Sequence, residues 1–187
     1  MSEKLCGIDE AGRGPLAGPL IMAGVVLNVP IEGLDDSKKL PAKRREELYE
    51  RITDAASYLI VRFGAEEIDA RGISACIAEG LRRIRSHFGD EVEYLFDGNN
   101  SFGVAGITTM IKADGKVPEV SAASILAKVT RDREMVREAK RYPQYGFEKH
   151  KGYATKAHYE ALMRHGRCAL HRKSFRVKGL DEPTLFD

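Results

Sequence analysis

Two apolar segments on either side of a glycine- and proline-rich loop constrain the fold more than any other feature. Residues 5–8 and 20–27 read as buried strands, because each is a short apolar run bounded by residues that favour turns. The two segments can therefore pair as neighbouring strands. The loop between them contains Gly12, Gly14, Pro15, Gly18 and Pro19.

Strand-like and helical segments alternate along the rest of the chain, which predicts an α/β domain with a mixed sheet. Further strands are predicted at residues 58–63, 94–96 and 107–111, and helices at residues 41–56, 73–88, 121–141 and 155–165. The longest helix is predicted to end before Pro143 and to bury an apolar side formed by Ala122, Ile125, Leu126, Val129 and Val136.

The length and composition indicate a soluble globular protein. A chain of 187 residues without internal repeats fits one domain, residues 1–187, and we expect residues 176–187 to be a flexible tail. No apolar stretch approaches the roughly 20 residues that a membrane span needs, and the N-terminus lacks the apolar region of a secretory signal. Three widely spaced cysteines, Cys6, Cys76 and Cys168, are typical of reduced thiols. These features predict a cytoplasmic location.

Charge is distributed unevenly along the chain. Residues 121–187 contain 15 Lys and Arg against 8 Asp and Glu, whereas residues 1–120 contain 15 against 20. Four of the five histidines also lie in the C-terminal third. This third can supply a surface for phosphates, although an ordinary solvated face explains the same pattern.

Acidic residues lie just past the ends of three of the predicted strands. Asp9 and Glu10 come after residues 5–8, Asp97 after residues 94–96, and Asp114 after residues 107–111. If these strands are aligned neighbours, four carboxylates meet at one edge of the sheet. Crowded carboxylates raise one another's pKa, so a cluster that stays anionic implies bound cations. Oxygen ligands favour Mg²⁺ or Mn²⁺, and two such ions can promote phosphodiester hydrolysis.

Acidic residues in these positions can also have a purely structural role. An Asp after a strand is often a turn former or a helix N-cap, and Asp97-Gly98-Asn99 is a good turn sequence. Taken alone, the pattern suggests a carboxylate-metal enzyme, and a phosphatase fits it as well as a nuclease does.

The segment Gly12-Arg13-Gly14 is not a dinucleotide-binding loop, because a third glycine is absent from the required position and a strand follows instead of a helix. Closely spaced glycines allow the backbone to approach a ligand, and Arg13 can reach a phosphate. A tight structural turn is the alternative.

Residues 7–19 (GIDEAGRGPLAGP) resemble the N-terminal signature of the ribonuclease HII family. The related ribonuclease HIII type has Thr in place of Arg13 and an additional N-terminal domain, so the resemblance is to type HII. Five further segments match the same family in the same order. They are DSKKL (36–40), DGN (97–99), VPEVSAASILAKVTRD (117–132), HKGY (150–153) and HRKSF (171–175).

The resemblance implies an α/β, ribonuclease H-like mixed β-sheet flanked by helices, with a helical C-terminal part. It further implies that Asp9, Glu10 and Asp97 bind the metal ions and that Asp114 is the fourth carboxylate of the active site.

The resemblance also implies how the substrate is held. The backbone of Gly12, Arg13 and Gly14 would contact the 2′-hydroxyl at the junction of RNA and DNA. The ring of Tyr153 would pack on the following deoxyribose. Lys38 and Lys39 match a motif that can contact phosphates, but adjacent lysines are often merely solvated.

Three weaker patterns are also present. Lys128 and Asp132 are four residues apart on the long helix and can pair with each other. Five residues of the C-terminal third are potential zinc ligands, but their spacing fits no standard zinc site. They are His150, His158, His165, Cys168 and His171. The C-terminal residues 184–187 (TLFD) faintly resemble peptides that bind sliding clamps, although a frayed terminus is the simpler interpretation.

The predicted activity is endonucleolytic hydrolysis on the 5′ side of ribonucleotides in RNA/DNA hybrids and in duplex DNA, leaving a 3′-hydroxyl and a 5′-phosphate. Two Mg²⁺ or Mn²⁺ ions would serve as cofactors. Two alternatives stay open at this point. They are a non-catalytic domain that binds RNA/DNA hybrids and a Mg²⁺ phosphatase that acts on small esters.

Overall fold

Five strands form one mixed sheet in the computed structural model, which describes residues 4–181. The strands are β1 (Lys4–Ala11), β2 (Leu20–Leu27), β3 (Ala56–Phe63), β4 (Val92–Asp97) and β5 (Thr108–Met110), in the spatial order β3-β2-β1-β4-β5. β1, β2 and β3 are antiparallel neighbours, whereas β4 and β5 continue the sheet in parallel with β1. The predicted pairing of the first two strands is therefore confirmed.

Six α-helices accompany the sheet in the described part of the chain. They are α1 (Ala42–Ala55), α2 (Ala65–Arg71), α3 (Ile73–Phe88), α4 (Pro118–Ala139), α5 (Phe147–His150) and α6 (Lys156–His165). Helix α2 is absent from the sequence-based prediction, because this seven-residue helix buries only Ala65 and Ile68 and has no clear apolar periodicity.

Apolar cores lie on both faces of the sheet. Along β2, Leu20 and Met22 pack on the side of α3, while Ile21 and Ala23 pack on the side of α1 and α4. Successive side chains of a strand point to opposite faces. A strand that is covered on both faces therefore reads as a continuous apolar run, as this one does.

Helix α4 lies against β1 and β2, and residues 120–127 are buried all around the helix. The prediction that Val136 belongs to its apolar side is wrong, because Val136 is 43% exposed. The last turns of α4 pass the edge of the sheet and pack on the C-terminal part of the chain. Met135 and Ala139 are buried there, in a cluster with Phe147.

The C-terminal part is helical, as predicted, and it contacts the loop between β1 and β2. The amide of Leu16 donates to the carbonyl of Gly152 at 2.9 Å, and Ala17 forms a single β-bridge with His171. These contacts join the glycine-rich loop to residues far along the chain.

Residues 176–181, which were expected to begin a flexible tail, are packed against this C-terminal part. Val177 is 2% exposed, and the carboxylate of Asp181 accepts a hydrogen bond from Arg167 at 2.7 Å and one from the amide of Val177 at 2.6 Å. The segment 184–187, which faintly resembles a clamp-binding peptide, lies outside the described residues.

Within residues 4–181, no helix combines the length and the apolar character that crossing a bilayer requires. The three cysteines are free thiols, with Cys6 and Cys76 buried and Cys168 partly buried, which confirms the prediction made from their spacing.

Candidate active site

Three carboxylates meet on the α4 face of the sheet. One carboxylate oxygen from each of Asp9, Asp97 and Asp114 lies within 4.8 Å of the other two. The register of β1 and β4 pairs Ile8 with Phe96, which sets the next residues, Asp9 and Asp97, side by side. The prediction that neighbouring strands bring these residues together is confirmed.

The positions of these residues along the strands differ from the prediction. Asp9 and Glu10 do not follow β1 but lie inside it, since the pairing with β2 continues as far as Ala11. Charged residues near the end of an otherwise apolar strand interrupt the pattern from which the end was predicted. Asp97 is the last residue of β4.

Asp114 lies on a short 3-10 turn, Ala113–Gly115, a few residues after the end of β5. Two hydrogen bonds hold this turn against the rest of the cluster. The amide of Ala113 donates to Asp97 at 2.8 Å, and the hydroxyl of Ser121 donates to the carbonyl of Asp114 at 2.6 Å. Because Ser121 belongs to α4, the helix and β4 together position the fourth carboxylate.

Glu10 stands apart from the three aspartates. One of its oxygens pairs with Arg13 at 2.7 Å, while Oε2 is buried and has no hydrogen-bond partner among residues 4–181. A buried carboxylate oxygen without a partner is costly. A cation bound at the acidic cluster would give Oε2 a partner.

Burial raises the pKa of Asp9 well above its usual range, and the neighbouring charge of Glu10 raises it further. Burial also raises the pKa of Glu10, although Arg13 opposes the shift. The pKa of Asp114 is raised by burial and by the charge of Asp97. The site therefore favours either protons or cations, and the all-oxygen ligand set fits a hard divalent ion.

Three of the four carboxylates, those of Asp9, Glu10 and Asp97, line a cleft of about 320 Å³ that also contains most of the predicted substrate-binding residues. The backbone of Gly12, Arg13 and Gly14 forms one wall. Gly12 adopts a φ of 98°, which favours glycine, and a Cβ added at Gly14 would have no atom within 4 Å. Tyr153 lines the same cleft and is 43% exposed.

The structure separates the two predicted lysines. Lys38 lines the cleft, with Nζ 3.6 Å from Asp114. Lys39 does not line it and instead pairs with Asp35 at 3.2 Å. Lys128 pairs with Asp132 at 2.8 Å, as predicted, and also lines the cleft.

Four residues around the cleft were not predicted to belong to the site. Ser37 and Ser124 are buried and share a hydrogen bond of 2.8 Å. Arg131 and Arg172 are fully buried and bond to carbonyls of the glycine-rich loop. All four lie in segments that match the family, and only that match could have drawn attention to them.

The histidines and the cysteine of the C-terminal part form no group of three converging metal ligands in the described chain. His158 and His171 are buried and hydrogen-bond to each other, with their Nε2 atoms 3.0 Å apart. They belong to the packing of this part of the molecule.

Comparison with known proteins identifies the family. The family model described as Ribonuclease HII matches residues 6–178. Ribonuclease HII from Sulfurovum sp. (strain NBC37-1) is 66% identical over 185 residues, which are 99% of this chain and 98% of the relative. Ribonuclease HII from Campylobacter concisus (strain 13826) is 57% identical over 184 residues, covering 98% and 99% of the two chains.

A solved structure shows the same fold. The chain from the PCNA:RNase HII complex of Archaeoglobus fulgidus superposes with a TM-score of 0.80 and 29% identity, covering 97% of this chain and 98% of that one. The predicted ribonuclease H-like fold is thus confirmed, and the non-catalytic alternative is excluded. The chain belongs to the ribonuclease HII family, whose members are divalent-metal-dependent endonucleases that act on RNA/DNA substrates.

Proposed function

We propose that the protein hydrolyses the phosphodiester on the 5′ side of ribonucleotides, both in RNA/DNA hybrids and in duplex DNA with embedded ribonucleotides. The products are a 3′-hydroxyl and a 5′-phosphate. One observation carries the proposal: three carboxylates, those of Asp9, Glu10 and Asp97, line the same cleft as the open backbone at Gly14. The backbone that would contact the 2′-hydroxyl therefore lies close to the carboxylates that would bind the metal ions.

The metal site consists of Asp9, Glu10, Asp97 and Asp114, and we infer that it takes two Mg²⁺ or Mn²⁺ ions. The convergence of three carboxylates and the unpartnered Oε2 of Glu10 support this inference. When bound, such ions activate water and stabilise the leaving oxygen of a phosphodiester. The protein residues place the scissile phosphate and keep the four carboxylates together.

Substrate recognition divides between the glycine-rich loop and the side chains across the cleft from it. Gly12, Arg13 and Gly14 contact the 2′-hydroxyl through their backbone, since the Arg13 side chain is engaged with Glu10. Tyr153 packs on the next deoxyribose. Lys38 faces the cleft and contacts a phosphate, which a compact ammonium group suits.

The decisive experiment incubates the protein and Mg²⁺ or Mn²⁺ with a duplex that contains one ribonucleotide, beside an all-DNA duplex. We expect a single nick on the 5′ side of the ribonucleotide, with a 3′-hydroxyl and a 5′-phosphate at its two ends. The variant Asp97→Asn should lose turnover, while Asp54→Asn, on the exposed side of α1, should not. An intact ribonucleotide duplex would contradict the proposal.

Two further predictions concern the location of the protein in the cell and a binding partner. A cytoplasmic location is supported by the free thiols. Binding of a sliding clamp by residues 184–187 is supported by the relative that was solved with PCNA. Removal of residues 182–187 should abolish capture by a clamp, and unchanged capture would show that these residues do not bind it.

A further inference from the structure

Two arginines are fully buried beneath the cleft without an acidic partner. Arg131 and Arg172 are 0% exposed, and neither forms a salt bridge within the described residues. A buried charge is costly unless hydrogen bonds compensate for it. In both cases the compensation comes from backbone carbonyls of the loop between β1 and β2.

Arg172 bonds to the part of the loop that lines the cleft. Its guanidinium donates to the carbonyls of Gly12 at 2.6 Å, Arg13 at 3.0 Å and Gly18 at 2.9 Å. In a planar trans peptide the N–H points away from the carbonyl. The amides that follow these carbonyls, those of Arg13 and Gly14, are therefore directed away from Arg172.

Arg131 connects the same loop to Tyr153. It donates to the carbonyls of Ala17 at 3.0 Å and Pro19 at 2.9 Å, and its guanidinium carbon lies 5.4 Å from the centre of the Tyr153 ring. The remaining nitrogen, Nη1, is buried and has no hydrogen-bond partner among residues 4–181. The ring of Tyr153 covers this guanidinium, and such a contact is attractive.

The fit at Gly12 shows how closely the loop lies on these side chains. A Cβ at Gly12 would come within 2.3 Å of Nε of Arg131 and within 2.4 Å of the carbonyl oxygen of Pro19. The loop therefore packs closely on Arg131 at Gly12, and the hydrogen bonds of the two arginines hold it in this position.

We propose that Arg131 and Arg172 are positioning residues that fix the distance between the amides of Arg13 and Gly14 and the ring of Tyr153. This distance sets the preference for a ribonucleotide followed by a deoxyribonucleotide. The inference rests on the proposed function, in which the loop and Tyr153 contact the two sides of the junction. Neither arginine contacts the substrate.

The test uses the full chain with Arg172→Lys and, separately, Arg131→Lys. Lysine keeps the charge but presents one nitrogen in place of a planar fork, so it cannot reach all of the carbonyls. For a duplex with one ribonucleotide, we expect KM to rise about tenfold or more. Binding of the all-DNA duplex and of Mn²⁺ should not change, since phosphate contacts and carboxylates are intact.

Ile52→Ala is the matched control. Ile52 lies on α1, buried in the core between this helix, α4 and the sheet, and its truncation destabilises the protein without touching the cleft. A purely structural role of the arginines would lower kcat through the active fraction and leave KM unchanged, as in this control. That result for both arginine variants would overturn the inference.

A measurement on the unmodified protein covers the case in which the variants do not fold. With Ca²⁺ in place of the active metal, the backbone amide resonances of Arg13 and Gly14 should shift on binding the ribonucleotide duplex and much less on binding all-DNA duplex. Equal shifts, together with a nick at the ribonucleotide, would refute the inference and the proposed contact of the loop with the 2′-hydroxyl, but not the proposed hydrolysis. Equal shifts without any nick would refute the proposed function as well.

Discussion

At the scale of single residues, ionisation of the buried acidic cluster destabilises the metal-free folded protein. The pKa of Asp9 is raised by burial and by Glu10, so the folded state binds its proton more tightly than the unfolded state does. The penalty is absent below the ordinary aspartate pKa of about 3.9. The destabilisation grows as the pH rises from there toward the raised pKa of Asp9. Above the raised pKa it has its full size.

Asp9→Asn should therefore stabilise the metal-free protein while it removes activity. At pH 7 we expect the variant to have the higher free energy of unfolding, because it removes the cost of ionising a buried carboxyl group. Thermal unfolding in the presence of a chelator measures this gain, with Asp54→Asn as the control. The gain should disappear near pH 3, and Mn²⁺ should raise the Tm of the wild type more than that of the variant. A lower Tm at pH 7 would contradict the expectation.

Gly14 offers a direct probe of how closely a ligand approaches the loop. A Cβ at this position meets no protein atom within 4 Å, so Gly14→Ala should leave the Tm unchanged. The added methyl would project where the sugar is proposed to lie. We expect kcat/KM on a ribonucleotide duplex to fall about tenfold or more, which corresponds to about 1.4 kcal/mol. Wild-type kcat/KM would show that the backbone at Gly14 does not approach the substrate.

At the scale of elements, the contact of β1 with α4 decides where the carboxylates lie. A Cβ at Gly7 would come within 2.2 Å of the backbone of Glu119 and Val120, at the start of α4. Glycine at this position allows the strand and the helix to approach closely. The helix in turn holds the Asp114 turn through Ser121.

Gly7→Ala should destabilise the protein by about 3 kcal/mol, the upper end of the usual cost of overpacking, because both obstructing atoms belong to backbone. Gly80→Ala is the comparison, since its Cβ would meet Sδ of the flexible Met22 side chain at 2.2 Å. The free energies of unfolding in urea should differ by about 1 kcal/mol or more. Equal values for the two variants would show that α4 can shift away from β1.

The elements also show how far sequence reasoning extends. The bounds of β2 were predicted correctly, because a strand buried on both faces is a continuous apolar run between turn residues. The end of β1 was missed because carboxylates, those of Asp9 and Glu10, replace the apolar residues there. The roles of Arg131 and Arg172 were not predictable from local pattern, since their carbonyl partners lie 112 to 160 residues away.

At the scale of the whole molecule, the cleft joins residues from the acidic and the basic parts of the chain. Asp9 and Asp97 come from the acidic part, whereas Lys128 and Tyr153 come from the basic part. Local patterns indicated the carboxylates of the acidic part, whereas Tyr153 of the basic part was indicated only by the family resemblance. That α4 and the C-terminal segment lie beside the carboxylates was not predicted, because contacts over such distances have no periodic signature in the sequence.

The two adjacent lysines, Lys38 and Lys39, allow a test of where the duplex binds on the protein. Each phosphate contact made by a lysine releases bound counterions, so the affinity for duplex falls as salt increases. Lys38 faces the cleft, and Lys39 pairs with Asp35 outside it. Lys38→Ala should therefore weaken binding of ribonucleotide and all-DNA duplexes alike and should reduce the slope of log K against log salt by about 1.

Lys39→Ala removes the same charge from the neighbouring position and should leave the slope unchanged. Titrations at several salt concentrations, with Ca²⁺ present to prevent turnover, measure both slopes. If the two variants lose the same slope, the lysines act through general attraction to the duplex. A loss confined to Lys38→Ala would mean that the backbone of the nucleic acid passes over the Asp114 side of the cleft, where the ammonium group of Lys38 lies.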